Sequence, residues 1–295
     1  MMSDILEVEN LSVVSHKKGT RSQRIIQGIN LNIEKGKITG IVGESGSGKS
    51  MTMKAIMNLL EGKLESRFDR FTFEGQIINK REIIKRRLPI AMIFQDPMTS
   101  LNPLRTIGYH LMEVIRRYHK VSNMEAKKLA IEELNKVGID QAQNRMGQYP
   151  HELSGGMRQR IMVAMAMLCK PKILIADEPT TALDVTIQAQ ILSLIRKRQR
   201  EEGLTVLLVT HDFGVVAQMC DNVIVMLDGK IVEQGTSEAI FYQPAHTYTQ
   251  ELLKAIPGNR VGNRLYSMQE FRLNERQKAE GKMILVAENH WKLEE

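Results

Sequence analysis

The sequence is poor in cysteine, tryptophan and long apolar runs. Of its 295 residues only Cys169 and Cys220 are cysteines, and a single residue is tryptophan. Two isolated thiols exclude a disulfide-stabilised scaffold and a Cys-x-x-Cys motif, and they are typical of a protein in a reducing cytosol. The longest strongly apolar run, residues 161–169, is far shorter than the roughly 18–20 residues that span a bilayer. The N-terminus carries Asp4 and Glu7 and does not resemble a secretory signal. We therefore expect a cytoplasmic protein.

The net charge fits several kinds of partner. There are 41 Lys and Arg against 34 Asp and Glu, which gives a net charge of +7. A basic protein can bind nucleic acid, an anionic membrane surface or a phosphorylated ligand. The excess is spread out, since residues 61–90 hold eight bases against five acids and residues 101–136 hold seven against four. No aromatic interleaving accompanies it. This distribution disfavours nucleic acid and fits a cytosolic subunit beside an anionic inner leaflet.

Short apolar runs alternate with helical patterns along most of the chain. Strands are predicted at residues 5–8, 25–33, 38–42, 90–94, 173–176, 206–209 and 223–227. Helices are predicted at residues 50–60, 126–137, 157–169 and 187–198. Continuously apolar strands are typical of a parallel sheet covered on both faces. A charged, helix-rich block at 97–160 interrupts this alternation, which predicts an α/β core with an inserted helical subdomain. A polar tail follows residue 257.

A glycine-rich loop predicts a nucleoside triphosphate site. Residues 43–50 match G-x-x-x-x-G-K-[ST] between a predicted strand and a predicted helix. Glycines let successive N–H groups point at phosphate oxygens, and the helix N-terminus favours the same anion. We expect Lys49 to reach the β- and γ-phosphates and the Ser50 hydroxyl to bind Mg²⁺. The predicted nucleotide contacts are Gly43, Glu44, Ser45, Gly46, Ser47, Gly48, Lys49, Ser50 and Met51. The loop alone is shared by kinases, GTPases, helicases and transport ATPases.

A pair of acids follows the predicted strand at 173–176. Asp177 at its end is expected near the metal, and Glu178 is placed to polarise a water for attack on the γ-phosphate. An acidic turn that caps the next helix is the alternative, and Pro179 and Thr180 would suit it. The loop at residue 43 makes the catalytic interpretation the stronger one, and Glu178 then predicts hydrolysis as well as binding.

Residues 153–159, Leu-Ser-Gly-Gly-Met-Arg-Gln, narrow the class of ATPase. Taken alone, Ser154, Gly155 and Gly156 could be a serine N-cap with glycines before a helix. The run resembles the signature of the ATP-binding-cassette (ABC) family, and it lies between the glycine loop and the acidic pair, in the family's order. Further elements match in sequence order. They are Walker A at 43–50, a Q-loop glutamine at Gln95, Walker B at Asp177 and Glu178, a D-loop at 181–184 with Asp184, and a switch histidine at His211.

The resemblance implies both the fold and the active site. The fold would be a RecA-like P-loop NTPase core with an N-terminal antiparallel β subdomain and a helical subdomain at about 97–160, all within an ATPase domain at 1–256. Residues 257–295 would form a C-terminal extension. The implied ligands are ATP and Mg²⁺, with the metal bound by Ser50, Gln95 and Asp177. Glu178, His211 and Gln95 would be catalytic. Ser154, Gly155, Gly156 and Asp184 would contact nucleotide in a head-to-tail dimer, with the signature residues reaching nucleotide on the partner subunit.

Three stretches resemble one subfamily, the ATP-binding subunits of bacterial peptide and nickel importers: residues 94–103, 177–190 and 242–249. This resemblance implies ATP-driven import of dipeptides or oligopeptides at the cytoplasmic face of the membrane. The implied partners are two transmembrane permease subunits, a second similar ATPase and an extracytoplasmic solute-binding protein, with no nucleic acid. The same role for nickel or a metal chelate stays open. A soluble ABC ATPase acting on nucleic acid or ribosomes is the more distant alternative.

Two departures from the family pattern accompany this resemblance. No cysteine follows Cys220, which disfavours an iron–sulfur site in the tail. No aromatic residue precedes Phe68, so His16 is the nearest planar side chain for stacking on adenine. In the tail, the only tryptophan, Trp291, is expected to pack the tail onto the cassette, because of its size. The alternative is that Trp291 only caps a short strand.

Overall fold

The structure is a computed structural model that describes residues 4–16, 22–85, 88–96, 100–181, 183–255 and 281–294. The chain forms two compact units. The first comprises residues 1–87 and 207–295, and the second comprises residues 88–206. Within the described ranges, no helix has the length and apolar character needed to cross a membrane.

The strands, in chain order, are β1 Asp4–Ser15, β2 Gln23–Glu34, β3 Ile38–Val42, β4 Leu64–Arg67, β5 Arg70–Phe73, β6 Gln76–Ile77, β7 Ile90–Ile93, β8 Ile173–Asp177, β9 Thr205–Val209, β10 Asn222–Leu227, β11 Lys230–Thr236, β12 Met283–Ala287 and β13 His290–Leu293. The helices are α1 Lys49–Ile56, α2 Lys80–Lys85, α3 Ile107–Tyr118, α4 Asn123–Lys136, α5 Ala142–Arg145, α6 Gly155–Leu168, α7 Val185–Glu202, α8 Phe213–Met219, α9 Ser237–Tyr242 and α10 Thr247–Lys254.

The first unit contains an antiparallel sheet built on β1. Its strands follow the order β2-β1-β5-β6, and β4 also pairs with β1. In β1, Leu6, Val8 and Val13 are buried, whereas Glu7 and Ser12 between them are more exposed. Alternation of this kind buries one face of an antiparallel sheet in the core.

The same unit contains a second sheet around β3, the strand that leads into the glycine-rich loop. β3 pairs in parallel with β10, and β10 pairs with β11 in antiparallel register. The C-terminal hairpin of β12 and β13 continues this sheet, because β13 pairs with β11. All five residues of β3 are buried, and apart from Thr39 they are apolar or glycine, as expected of a strand covered on both faces. On the other side of β3, the N–H of Thr210 donates to Ile41 O at 3.2 Å.

The second unit combines parallel strands with a group of helices. β7 pairs in parallel with β8, and the N–H of Thr205 at the start of β9 donates to Lys172 O at 3.1 Å. Helices α3, α4 and α6 pack on one another through buried positions at helical spacing, such as Ile107, Leu111 and Ile115 of α3. A side-chain oxygen caps the start of each long helix and accepts an otherwise unpaired N–H; the caps are Thr106, Ser122, Ser154 and Asp184.

The predicted strands and helices are all present, with shifted ends. Helix α1 stops at Ile56, four residues earlier than predicted, because Asn58 has a left-handed φ of 54° and turns the chain away. Sequence reasoning missed β4, β5, β6, β11 and the C-terminal hairpin. The hairpin did leave a signal, because residues 283–287 are an apolar run and Asn289, with φ 56°, closes the turn after it.

The cysteine prediction is confirmed, since both Cys169 and Cys220 are free thiols. Trp291 is 38% exposed, whereas His290 and Leu293 of the same strand are buried. The packing of the tail through Trp291 stays a prediction. The predicted domain limits stay predictions, and the limit at 256/257 lies outside the described residues.

Candidate functional site

The glycine-rich loop joins β3 to α1 within the first unit. Gly43 has φ 147°, and a Cβ at this position would lie 2.2 Å from Met226 O. Gly48 has φ 105°, and a Cβ there would lie 2.6 Å from Ile26 Cδ1. Only glycine has both the backbone freedom and the small volume for these two positions. The neighbouring strands therefore fix the shape of the loop.

Lys49 folds back onto this loop. Its buried ammonium group donates to Gly43 O at 2.7 Å and to Glu44 O at 2.8 Å. The loop is also pinned by its backbone, because Ser47 N donates to Glu44 O at 3.1 Å and Gly229 N donates to Ser47 O at 2.9 Å. The same ammonium group lies 3.4 Å from Ser47 Oγ. A buried ammonium group that donates to oxygens of the loop is well placed to move to the stronger charge of a phosphate.

The start of α1 suits an anion. Its N-cap is Gly48, and among the described residues no side chain caps it. The first N–H groups of a helix need a partner, and the helix dipole makes that partner preferably negative. Ser50 and Met51 lie in this first turn and are half-buried, whereas Ser45 and Gly46 at the tip of the loop are exposed. The arrangement fits a bound triphosphate.

Tyr248 is a contact of the loop that sequence reasoning missed. Its hydroxyl oxygen accepts a hydrogen bond from Glu44 N at 3.2 Å. Tyr248 lies in α10, about two hundred residues from the loop, and its position in the stretch 242–249 carried only a subfamily resemblance. Nothing in local sequence could have indicated the contact.

In the second unit, two of the predicted catalytic residues are in contact. Gln95, two residues after the end of β7, donates from Nε2 to Glu178 Oε2 at 3.0 Å. Thr181 Oγ1 donates to the same oxygen at 2.9 Å, and its role was also missed. Glu178 has a left-handed φ of 48°, which is uncommon outside glycine and is found at functional sites. Asp177, the last residue of β8, is buried.

The signature residues form the first turn of α6. Ser154 is its N-cap and accepts a hydrogen bond from Met157 N at 3.3 Å. Gly156 packs closely against α7, because a Cβ there would lie 2.7 Å from Ile187 Cγ2. Asp184 caps α7 and accepts from Ile187 N at 2.9 Å. Ser154 and Asp184 therefore both have local structural roles, which accompany the nucleotide contacts predicted for them.

His211 lies in the first unit, in the exposed turn between β9 and α8. The next residue, Asp212, caps α8 by accepting from Gly214 N and Val215 N at 2.8 and 3.1 Å. The first unit thus holds residues 43–51 and His211, and the second holds Gln95, 154–156, Asp177, Glu178 and Asp184. His16 is exposed, and its ring nitrogens contact Glu65 Oε2 at 3.3 Å and Ser22 Oγ at 3.2 Å.

Two family models match the chain. Residues 26–181, just over half of the sequence, match the ABC transporter model. Residues 232–283 match a model described as the C-terminal region of oligopeptide/dipeptide transporters.

Curated relatives are similar over most of the chain. The Dipeptide transport ATP-binding protein DppD of Escherichia coli is 46% identical over 257 residues, which cover 86% of this chain and 78% of that protein. The Oligopeptide transport ATP-binding protein OppD of Haemophilus influenzae is 48% identical over 87% of this chain and 80% of its own length. DppD of Bacillus subtilis is 48% identical over 87% of this chain and 78% of its own length.

Solved structures share the fold. CbiO1 from Clostridium perfringens, part of an ABC transporter complex, superposes with a TM-score of 0.68 at 30% identity, covering 82% of this chain and 92% of that one. The ATP-binding cassette MJ0796, solved as a dimer in a post-hydrolysis state with ADP and phosphate, gives 0.67 at 30% identity, covering 79% of this chain and 98% of that one. The RecA-like α/β fold predicted from the sequence is confirmed. The chain belongs to the ABC transporter family and is a nucleotide-binding ABC-type ATPase.

Proposed function

We propose that this ATPase drives the import of dipeptides or oligopeptides through a membrane permease. One combination of findings carries the proposal. The relatives at 46–48% identity are named for dipeptide or oligopeptide transport, and residues 232–283 match the C-terminal region of such transporters. The second match lies outside the ATPase motifs, so it supports the subfamily independently of nucleotide binding.

The donor set suits Mg²⁺ bound together with ATP. Mg²⁺ prefers carboxylate, hydroxyl and amide oxygens. Asp177 supplies a buried carboxylate and Ser50 a hydroxyl. Gln95 contacts Glu178 through its amide nitrogen, so its carbonyl oxygen is the atom suited to the metal. The metal would neutralise charge on the phosphates, and its assignment to these three residues rests on motif and ligand chemistry.

Glu178 is the general base of the proposed reaction. Gln95 and Thr181 donate to its Oε2, and this fixes the orientation of the carboxylate. The carboxylate would take a proton from the water that attacks the γ-phosphate, and His211 would contact that phosphate. Lys49 would turn from the carbonyls of the loop to the β- and γ-phosphates. The loop from Gly43 to Met51 would bind the rest of the triphosphate.

The active unit would be a dimer of ATPase subunits. In the proposed arrangement Ser154, Gly155 and Gly156 approach nucleotide held by the partner's glycine-rich loop, and Asp184 lies close by. The dimeric form in which MJ0796 was solved supports a second, similar ATPase subunit. Closure on ATP and reopening after hydrolysis would move the attached membrane subunits.

Exposed apolar residues on the second unit support docking to a permease. Leu104 is 82% exposed, and Tyr109 and Tyr149 are also exposed. Ile107 N donates to Gln148 O at 2.8 Å, which joins the backbone segments next to Tyr109 and Tyr149. Exposed aromatic and aliphatic residues of this kind mark protein interfaces. We propose two transmembrane subunits as the partners, with a solute-binding protein in the same system, and a position at the cytoplasmic face of the membrane.

Peptide uptake in intact cells tests the function. Cells whose own copy is deleted would receive the wild-type chain or the Glu178→Gln variant, and uptake of labelled dipeptide, labelled tetrapeptide and nickel would be measured. We expect Glu178→Gln to lower peptide uptake and ATP turnover by at least about a hundredfold, the usual contribution of a general base. ATP binding should persist, because Gln keeps the size of the side chain.

Glu201→Gln is the matched control, since Glu201 lies on the exposed face of α7 and its ion pair with Lys197 is solvated. It should leave uptake unchanged. Loss of nickel uptake with normal peptide uptake would contradict the proposal, as would recovery of the chain with ribosomes instead of two membrane subunits. Unchanged turnover in Glu178→Gln would remove Glu178 from the role of base.

A further inference from the structure

Tyr248 connects the C-terminal part of the first unit to the phosphate loop. The residue is fully buried, and its hydroxyl oxygen accepts from Glu44 N at 3.2 Å. Burial, with a smaller contribution from Asp228, raises the pKa of the Tyr248 hydroxyl. The hydroxyl therefore stays protonated at physiological pH, and its contact with the loop does not depend on pH.

A buried carboxylate holds the segment that precedes Tyr248. Glu233, in β11, is completely buried and accepts from Ala245 N at 2.7 Å and from His246 N at 3.1 Å. His246 in turn accepts from Tyr248 N at 3.1 Å through Nδ1. Hydrogen bonds thus run without a break from Glu233 to the start of α10, the helix that carries Tyr248.

The C-terminal hairpin completes this set of contacts. His290, at the start of β13, is buried, and its Nε2 lies 2.7 Å from Glu233 Oε1. Glu233 pairs across the strands with Lys292, which places the hairpin beside β11. The fit is close, because a Cβ on Gly235 would lie 3.1 Å from His290 Cδ2. A buried carboxylate that loses a hydrogen-bond donor destabilises the fold around it. His290 is therefore needed to keep Glu233 in position to bind Ala245 N and His246 N.

We infer that Tyr248 is a positioning residue for the phosphate loop and that the C-terminal hairpin holds Tyr248 in place through His290 and Glu233. Lys49 now donates to the carbonyls of Gly43 and Glu44. When the ammonium group turns to phosphate, those carbonyls lose that donor. The hydrogen bond from Glu44 N to Tyr248 does not involve Lys49 and holds the loop in both situations. This role rests on the proposed binding of ATP by the loop.

The Tyr248→Phe variant tests the contact with the loop. It removes the acceptor for Glu44 N and keeps the ring that fills the core. We expect the Kd and KM for Mg–ATP of the full-length chain to rise about three- to tenfold, the effect of losing one buried hydrogen bond. The kcat should stay within about twofold. Tyr242→Phe is the matched control, because Tyr242 is 82% exposed, and it should leave both constants unchanged.

A second pair of variants tests the role of the hairpin. His290→Ala removes the partner of Glu233 and should raise the KM for ATP in the same way as Tyr248→Phe. His290→Gln restores a donor at nearly the position of Nε2 and should recover most of the affinity. The double variant Tyr248→Phe/His290→Ala should raise the KM by less than the product of the two single effects, because both act on one contact. Trp291→Phe serves as the control within β13.

Two results would overturn the inference. One is a lower melting temperature in His290→Ala with an unchanged KM, which would give the hairpin a purely structural role. The other is a KM for Tyr248→Phe equal to that of the wild type. Failure of the proposed ATP binding by the loop looks different, because the wild-type chain itself would then show no saturable ATP turnover. Circular dichroism of each variant confirms that the comparison is made between folded proteins.

Discussion

At the scale of single residues, the phosphate loop requires glycine for two different reasons, which are backbone conformation and lack of space for a side chain. Gly43 needs glycine for conformation and for space, because its φ is 147° and a Cβ would lie 2.2 Å from Met226 O. Gly46 needs it for conformation only, because its φ is 85° and, apart from its chain neighbours, no atom of the described residues lies within 4 Å of a Cβ at this position. Gly43 is the first fixed glycine of the G-x-x-x-x-G-K-[ST] motif, whereas Gly46 occupies a variable position of the same motif. Their environments therefore differ although they belong to one loop.

These environments predict different effects of alanine. Gly46→Ala should cost about 1–2 kcal/mol, the strain of a left-handed backbone. Gly43→Ala should cost several kcal/mol and abolish ATP binding, because either β3 or β10 must move. Denaturant unfolding and ATP titration of the two variants measure both effects. Equal losses of stability and of ATP affinity in the two variants would show that β10 can move at little cost and does not fix the loop.

At the scale of elements, the helices of the second unit are joined by a buried ion pair. Glu133 of α4 accepts from Arg198 of α7, and both side chains are buried. Arg198 also reaches Glu202 at 2.8 Å, while Lys136 lies 3.5 Å from Glu133. The neighbouring Glu132 makes an exposed pair with Lys128 within α4. Adjacent acids on one helix thus lie in opposite environments.

We predict that Glu133→Ala destabilises the chain by about 3 kcal/mol, because it leaves a buried guanidinium group with one fewer partner. Glu202 still pairs with Arg198, and this keeps the loss at the lower end of the range for buried pairs. Glu132→Ala should cost less than about 1 kcal/mol, as solvated pairs do. Unfolding in urea measures both losses. Similar urea midpoints for the two variants would contradict the predicted difference between the buried and the exposed glutamate.

At the scale of the whole molecule, the proposed dimer gives Ser154 two roles that one substitution can separate. Ser154 caps α6 in the chain itself, and it is also expected to approach nucleotide on the partner. Aspartate caps helices as well as serine does, so Ser154→Asp keeps the cap and places a negative charge opposite the triphosphate.

In the Glu178→Gln background, ATP should shift the chain to about twice its mass of 33.6 kDa in light scattering. We expect Ser154→Asp to abolish this shift without lowering the melting temperature. Ser122→Asp is the matched control, since Ser122 is the N-cap of α4, and it should dimerise normally. A dimer that persists in Ser154→Asp would place the signature serine away from the nucleotide.

The motifs made most of the fold and site predictable. The strand before the loop and the strand that ends at Asp177 are short, mostly apolar runs, because every residue of both strands is buried. The helix after Ser154 follows an N-cap that local sequence also displays. Gln95 and Glu178 are in contact, and the roles that the resemblance implied for them stay predictions. Where prediction failed, the missing information was long-range. The short strands β4 to β6 have no continuous apolar pattern, and Met283 to Ala287 looked like part of a polar tail.

The sequence by itself determined the chemistry of this protein, because phosphate binding needs a few residue types at fixed spacing along a strand, loop and helix. Only the tertiary structure decided which distant residues support that chemistry. Tyr248 contacts Glu44, from which it is separated by about two hundred residues of sequence, and His290 contacts Glu233, which lies 57 residues before it. Contacts of this kind arise from sheet order and burial, since a buried N–H or carboxylate must find its partner wherever the fold provides one.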